Sequence, residues 1–345
     1  MCFKKNLKFA FVFCLAFCSG RELKIAFYLS GLSFQGGALA IYNYAHFNEK
    51  LLGNKSFIMN FDLKRKNEVR ERFKERFGDA FYDCDSLKSL DEILKDNKVD
   101  IFHIKKSGHY DGILSKVCKN VVHIVFDANP KPHGDVYASL SPWLTRRLAR
   151  KGINCPCVPR MIVLPEVEGS LRKELNIPDN AIVFGRYGGY DSFDIPFVKE
   201  VVKKVAETYK NIYFLFMNTR VFSNLKNIIY LSPSVNLIKK VKFINTCDAM
   251  LHARERGETF GQACAEFSIK NKPVITWGRS PEKNHIDILK DKGIYYTNKK
   301  DLEKILIKFD KSQNINKKWD AYSQDFNPEV VMKNFDKIFI KPFFV

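Results

Sequence analysis

Glu258 and Glu266, eight residues apart in the stretch 253–277 (ARERGETFGQACAEFSIKNKPVITW), have the spacing that most invites a chemical role. Thr259 suits the position before a helix. The pattern therefore predicts a strand ending near Ala253, a loop through Gly257 and a helix from about Thr259. The free N–H groups of Thr259, Phe260 and Gly261 would then point outward. The partial positive charge of a helix start favours an anionic diphosphate there. Gly261 has no side chain, so a ligand can come close to the backbone. Two acids at this spacing also fit a cap and a solvated helix face. Glu266, however, is flanked by Ala263, Ala265, Phe267 and Ile269 rather than by surface charges, and a Lys-Pro-Val-Ile-Thr run follows directly.

The elements that must hold these residues can be read from apolar runs. Residues 23–29 (LKIAFYL) predict a buried first strand, followed by a glycine loop with Gly36 and Gly37 and a helix over 38–52. Strands are predicted at 56–60, 99–104 and 121–126, with a charged helix over 64–77. After a basic helix at 143–151 and several prolines, the alternation restarts with strands at 182–187, 212–217, 227–231, 249–253, 273–277 and 294–296. An Asn-Pro start signal opens a last helix over 328–340. Such alternation predicts an α/β chain with two doubly wound, Rossmann-like halves facing across a cleft. The expected division is 21–165, 166–325 and a C-terminal helix in 326–345 that can pack back on the first half. Ligands of such sheets bind beyond the strand C-terminal ends.

The stretch around Glu258 resembles the E-x7-E motif of retaining glycosyltransferases of the GT-B type, in the large family-4 group, with its E-x-F-G start and its x-P-V-I strand. The resemblance implies a nucleotide-sugar donor, Glu258 beside the donor sugar and Glu266 on the ribose hydroxyls. It also implies that Gly36 and Gly37 approach the donor phosphates and that Gly185-Arg186 supplies an arginine fork to the diphosphate. The family usually has a Lys five residues after that Arg. This chain has Asp191 there, so Arg254 or Arg256 must take its place or the donor is held less tightly. The first half is then expected to bind the acceptor, a glycan, lipid-linked or small molecule. Its loops resemble a subset of these transferases with K-x-G-x-x-D-G (Lys105, Gly108, His109, Asp111, Gly112) and P-H-G-D-x-Y-A around His133. Asp111 and His133 are candidates for contacting the reacting hydroxyl, with Lys105 and His109 beside them. An Asp capping a helix and a surface His fit the same residues.

Departure of a nucleoside diphosphate requires positive charge and N–H groups at the phosphate. Arg186 and the helix start at Thr259 to Gly261 fit that need with no metal or other cofactor. Asp83-Cys84-Asp85 resembles the D-x-D metal motif of the other major glycosyltransferase fold, but it follows no glycine-rich donor site. Other readings of the chain are a non-catalytic nucleotide-sugar or carbohydrate-binding protein and, more distantly, a nucleotide-sugar epimerase. A dinucleotide-dependent oxidoreductase is disfavoured because no strand leads into G-x-G-x-x-G.

The totals agree with a globular protein of 345 residues, 46% hydrophobic and 28% charged. Lys plus Arg exceed Asp plus Glu by 57 to 38, a net charge of +19. That field suits a phosphate-bearing ligand or an anionic membrane face, the latter through Arg146, Arg147, Arg150 and Lys151. No helix-turn-helix, zinc knuckle or aromatic-interleaved basic stripe supports nucleic acid. Nine cysteines in this length do not form a disulfide framework. Residues 1–20 have the layout of a signal peptide: Lys4, Lys5 and Lys8, a short apolar run, then Ser19-Gly20. An uncleaved interfacial anchor or an upstream start codon fit equally. Because the donor is cytosolic, the cytoplasm or its membrane face is favoured, and the secretory route stays open.

Overall fold

The computed structural model describes residues 21–32 and 36–344, so the signal-like segment 1–20 lies outside the described residues. The first half runs β1 (Lys24–Leu29), α1 (Gly36–Leu52), β2 (Lys55–Asn60), α2 (Glu68–Phe77), β3 (Phe81–Asp83), α3 (Leu87–Asp96), β4 (Ile101–Lys106), β5 (Lys119–Ile124), β6 (Val136–Ser139) and α4 (Pro142–Ala149). The second runs β7 (Ile182–Tyr187), α5 (Pro196–Thr208), β8 (Ile212–Met217), β9 (Ile228–Leu231), α6 (Leu237–Thr246), β10 (Ala249–His252), β11 (Gly257–Glu258), α7 (Gln262–Ile269), β12 (Val274–Trp277), β13 (Glu282–Lys283), α8 (Asn284–Leu289), β14 (Gly293–Tyr296) and α9 (Lys299–Ile307). Three further helices, α10 (Lys311–Ile315), α11 (Pro328–Phe335) and the short α12 (Lys341–Phe344), follow among the described residues.

Each half is built on a six-stranded parallel sheet, ordered β3-β2-β1-β4-β5-β6 and β14-β12-β10-β7-β8-β9. The two windings are the same, and each reverses between its first and fourth main strands, β1 beside β4 and β7 beside β10. A crevice opens at such a reversal, at the carboxyl ends of the strands. Helices cover both faces of a parallel sheet, which is why the central strands read as unbroken apolar runs. Ile25, Ala26 and Phe27 of β1 and Phe214 and Leu215 of β8 are fully buried. The edge strands β3 and β6 are short and mixed in polarity, so they give no such run, and sequence reading passes over them. Gly185 of β7 lies where a side chain would overlap Cys247 and crowd Phe267. The absence of a Cβ lets the α6–β10 turn and α7 close on the sheet.

One apolar cluster joins the halves, running from Leu140 and Leu144 through Ile162 to Phe260 and Phe326. Polar links reinforce it: Ile162 N–H donates to Phe326 O at 2.8 Å, and Arg146 pairs with Asp287 at 2.5 Å. Asn327 caps α11 through Val330 N–H at 2.9 Å, with Pro328 at the first position. The helix continues through a π-helical turn, Asp336–Ile340. Phe335 stacks on Phe27 and Tyr44 at 6.2 and 5.6 Å, so the last helix closes the core of the first sheet. No helix among the described residues is long and apolar enough to cross a membrane.

Candidate functional site

The carboxylate expected beside the donor sugar, Glu258, sits just beyond the end of β10. Its local structure differs from the sequence expectation. Gly257 and Glu258 pair with Glu282 and Lys283 as a two-residue ladder, and α7 begins at Gln262 rather than near Thr259. Gly261 caps the helix with φ of 90°, a left-handed conformation that favours glycine. Thr259 and Phe260 are buried beneath this turn, so the outward-facing N–H groups expected of them move to the first residues of α7. The ladder carries the chain through Gly257 and Glu258, and a bend at Thr259 and Phe260 separates it from α7.

Each oxygen of Glu258 has a donor. His252 Nε2 lies 3.3 Å from Oε1, and Arg254 Nη1 donates to Oε2 at 3.0 Å. Burial pushes this carboxyl up, but the hydrogen bond from His252 and the charge of Arg254 outweigh it. The group is held at about 2 and is anionic at neutral pH. Arg254, a candidate for the diphosphate, is thus committed to Glu258. Glu266, fully buried on α7, accepts from Tyr187 Oη, from Gln262 Nε2 at 2.9 Å and from Lys240 Nζ at 3.2 Å. Arg256, the other candidate, pairs with Glu282 at 2.7 Å.

Arg186 ends β7 as expected, but its guanidinium faces inward. Nη1 donates to Asn218 O and to Thr219 Oγ1, and Nη2 to Gly189 O and Ser192 Oγ. The residue is 3% exposed, and burial lowers its pKa to about 10 against the pull of Glu258 and Asp194. Its visible role is to fasten the glycine turn after β7 to the end of β8. Asp191, at the family's lysine position, pairs with Arg220 at 2.7 Å on an exposed rim.

Positive charge reaches the cleft from the first half instead. Gly36 and Gly37 open α1. A side chain at Gly36 would lie 2.8 Å from Arg160 Nη2, and one at Gly37 would lie 3.4 Å from Lys105 Nζ. Arg160 donates to Gly36 O, its Cζ lies 5.7 Å over the Phe260 ring, and both Glu258 and Glu266 act on its charge. Its Nε is buried with no partner among the described residues. The ammonium of Lys105, near the end of β4, has neither an ion pair nor a hydrogen bond among the described residues. Burial and the neighbouring Arg160 bring its ammonium down to about 7. The first half therefore offers a helix start and two cations to a pair of carboxylates on the second.

No family model and no curated protein matches the sequence. Solved structures do. Anabaena Alr3699/HepE in complex with UDP-glucose superposes with a TM-score of 0.70 at 10% identity, covering 92% of this chain and 99% of that one. A glycosyltransferase from Rickettsia africae ESF-5 gives 0.65 at 14% identity, over 93% and 97%. The UDP-GlcNAc 2-epimerase from Neisseria meningitidis bound to UDP-GlcNAc gives 0.57 at 12% identity, over 92% and 100%. The chain has the GT-B fold. At these identities the likeness is one of fold.

The first-half loops of this GT-B protein are tied down more than their sequence suggests. Asp111 binds the buried Lys106 and accepts from Ile113 N–H at 3.1 Å. Burial raises its pKa, but these partners more than reverse the effect and keep it ionised. Asp111 is thus an anchor of its loop and a poor proton acceptor. His109 bonds Ser107 Oγ at 2.7 Å and is exposed. His133 donates from Nδ1 to Lys131 O at 2.6 Å, which leaves Nε2 as an acceptor, buried and unpartnered among the described residues. Its ring lies between Tyr110 and Tyr137, with centroids 5.1 and 5.6 Å away. Asp83 binds Arg70 and Asn60, and Asp85 accepts from Ser86 at 2.9 Å.

Three of the four cations of the basic helix and its flank are internally paired: Arg146 with Asp287, and Arg147 and Lys151 with Asp127. A membrane patch built on these residues is correspondingly weaker than the bare sequence implies. Sequence reading did not single out Arg160, His252, Thr276, His285, Tyr187 or Lys240. Only His252 carried a signal, as a polar residue at the end of an apolar strand just before the acidic motif.

Proposed function

We propose that the protein is a glycosyltransferase that moves a sugar from a nucleoside diphosphate sugar to a hydroxyl acceptor. The observation that carries this reading is the opposition of Glu258 and Glu266 to Arg160 and the start of α1 across one cleft. In transfer, the bond from the anomeric carbon to the phosphate oxygen breaks. The acceptor oxygen bonds that carbon, and the hydroxyl proton is released. Charge grows on the departing diphosphate, which the N–H groups of α1, Lys105 and Arg160 would stabilise. Glu258, anionic at neutral pH, suits the positive character that develops on the sugar. Glu266, bound by Lys240 and Tyr187, suits ribose hydroxyls if Gln262 gives way. Retention and metal independence belong to the same proposal. The E-x7-E spacing supports the former, and the engagement of Asp83 and Asp85 with Arg70 and Ser86 supports the latter. The acceptor class stays broad: a glycan, a lipid-linked sugar or a small molecule, received beside His133 and the loop of Asp111. UDP-sugars are the first donors to try, because HepE and the Neisseria meningitidis UDP-GlcNAc 2-epimerase are seen with UDP-sugars bound.

Nucleotide release from UDP-, GDP-, ADP- and TDP-sugars tests the proposal. Wild type should release nucleotide selectively, and Glu258→Ala and Glu266→Ala should each lose about 100-fold or more. The second reading, a nucleotide-sugar-binding protein without turnover, is favoured by one observation. Both terminal nitrogens of Arg186 and the oxygens of Glu266 are already engaged internally. Tight donor binding with no release in wild type would establish it, and conversion of the donor without an acceptor would indicate an epimerase.

A further inference from the structure

Glu258, His252, Thr276 and His285 form one unbroken file of polar side chains beneath the cleft. The register of β10 on β12 sets His252 opposite Thr276. His252 Nδ1 is therefore 2.8 Å from Thr276 Oγ1, and the same hydroxyl is 3.1 Å from His285 Nε2 on α8. The far side of the His252 ring reaches Glu258 Oε1 at 3.3 Å. All three inner residues are buried, and the two rings meet edge to face at 4.9 Å.

With neutral rings, only one placement of protons satisfies all three contacts. The carboxylate of Glu258 offers lone pairs, so His252 must carry its proton on Nε2. Its Nδ1 is then an acceptor, filled by the Thr276 hydroxyl. That hydroxyl has a single proton, so its oxygen must accept from Nε2–H of His285. The arrangement leaves His285 Nδ1 bare, and that atom is buried with no partner among the described residues.

The file matters because the backbone at Glu258 sits in a two-residue ladder rather than in the central sheet. Its other donor, Arg254, comes from the same loop. His252 stands on a strand of the central sheet. We propose that His252 is a positioning residue for Glu258: its ring, fixed by the Thr276 hydroxyl and through that by His285, sets the carboxylate toward the donor sugar. The proposal rests on the reading of Glu258 given under the proposed function.

The decisive measurements are the ring-nitrogen NMR spectrum of wild type and the kinetics of Thr276→Val, Thr276→Ser and His252→Gln. The spectrum should show His252 protonated at Nε2 and bare at Nδ1. Thr276→Val should lower kcat for nucleotide release roughly 10- to 100-fold, as expected for a displaced reacting group. KM for the donor should hardly change, and Thr276→Ser should restore kcat. His252→Gln, which keeps a donor to Glu258, should fall between them. A proton on Nδ1 of His252, or an unchanged kcat in Thr276→Val, would overturn the proposal. The wild-type spectrum decides the proton order even if a variant fails to fold. Absence of turnover in wild type would count against the transferase reading alone, since the spectrum does not depend on activity.

Discussion

Lys105 carries a prediction at the scale of single residues. Its ammonium is brought down to about 7 by burial and by Arg160, so its charge changes across the neutral range. An amine with a lowered pKa is charged below that value and neutral above it. Affinity for a nucleoside diphosphate should therefore fall between pH 6 and 8 as this proton is lost. Lys105→Gln should bind roughly 10- to 150-fold more weakly at pH 6, since a hydrogen bond to a charged group is worth about 1.5–3 kcal/mol. It should also lose the fall above neutrality. Calorimetric titration at pH 6, 7 and 8 checks both, and equal profiles for wild type and variant would remove Lys105 from the phosphate side. Glu258 and Glu266 were legible in the sequence because their spacing is local and their apolar neighbours mark them. Arg160 was not, because its partner Gly36 lies 124 residues away, and no local pattern reports such a contact. The tie of Asp111 to Lys106 was not legible for a related reason: its type and loop suit chemistry, and no local pattern reports that contact.

Among elements, β7 shows how packing dictates a residue that otherwise looks like part of a motif. A Cβ at Gly185 would overlap Cys247. Gly185→Ala should destabilise the protein by roughly 1–3 kcal/mol, the usual cost of overpacking a core. Adding Cys247→Ala should recover part of the loss. Urea unfolding of the single and double variants measures this, and equal losses in both would place the strain elsewhere. The strand–helix alternation was legible because strands buried on both faces must be continuously apolar. The start of α7 was not, because a two-residue ladder between Gly257–Glu258 and Glu282–Lys283 overrides the capping preference of Thr259. The π-helical turn after α11 was likewise hidden in an ordinary apolar periodicity.

For the whole molecule, buried imidazoles govern acid stability. Burial lowers the pKa of His103, His123 and His285, with the latter two at about 3. Such groups remain neutral in the folded protein while the unfolded chain takes up protons near 6.5. Their share of stability is complete above about 6.5 and is lost as pH falls toward the folded values. Each contributes a slope of up to about 1.4 kcal/mol per pH unit in that window. Urea midpoints should drop steadily from pH 7 to 5, and a flat profile would show that these rings can be charged in place. The last helix has a consequence for how the chain is made. Phe335 and Phe339 fill the first half's core beside Phe27, Tyr44 and His103, yet they leave the ribosome after the entire second half. At about 5–20 residues per second, the aromatic face of the first sheet waits on the order of 10–40 s for its cover. A chain stopped at residue 325 should expose that face to a hydrophobic dye. A peptide spanning 326–344, added afterwards, should quench the dye signal and restore near-ultraviolet dichroism, so that a nascent chain depends on residues made after the second half to bury the first sheet.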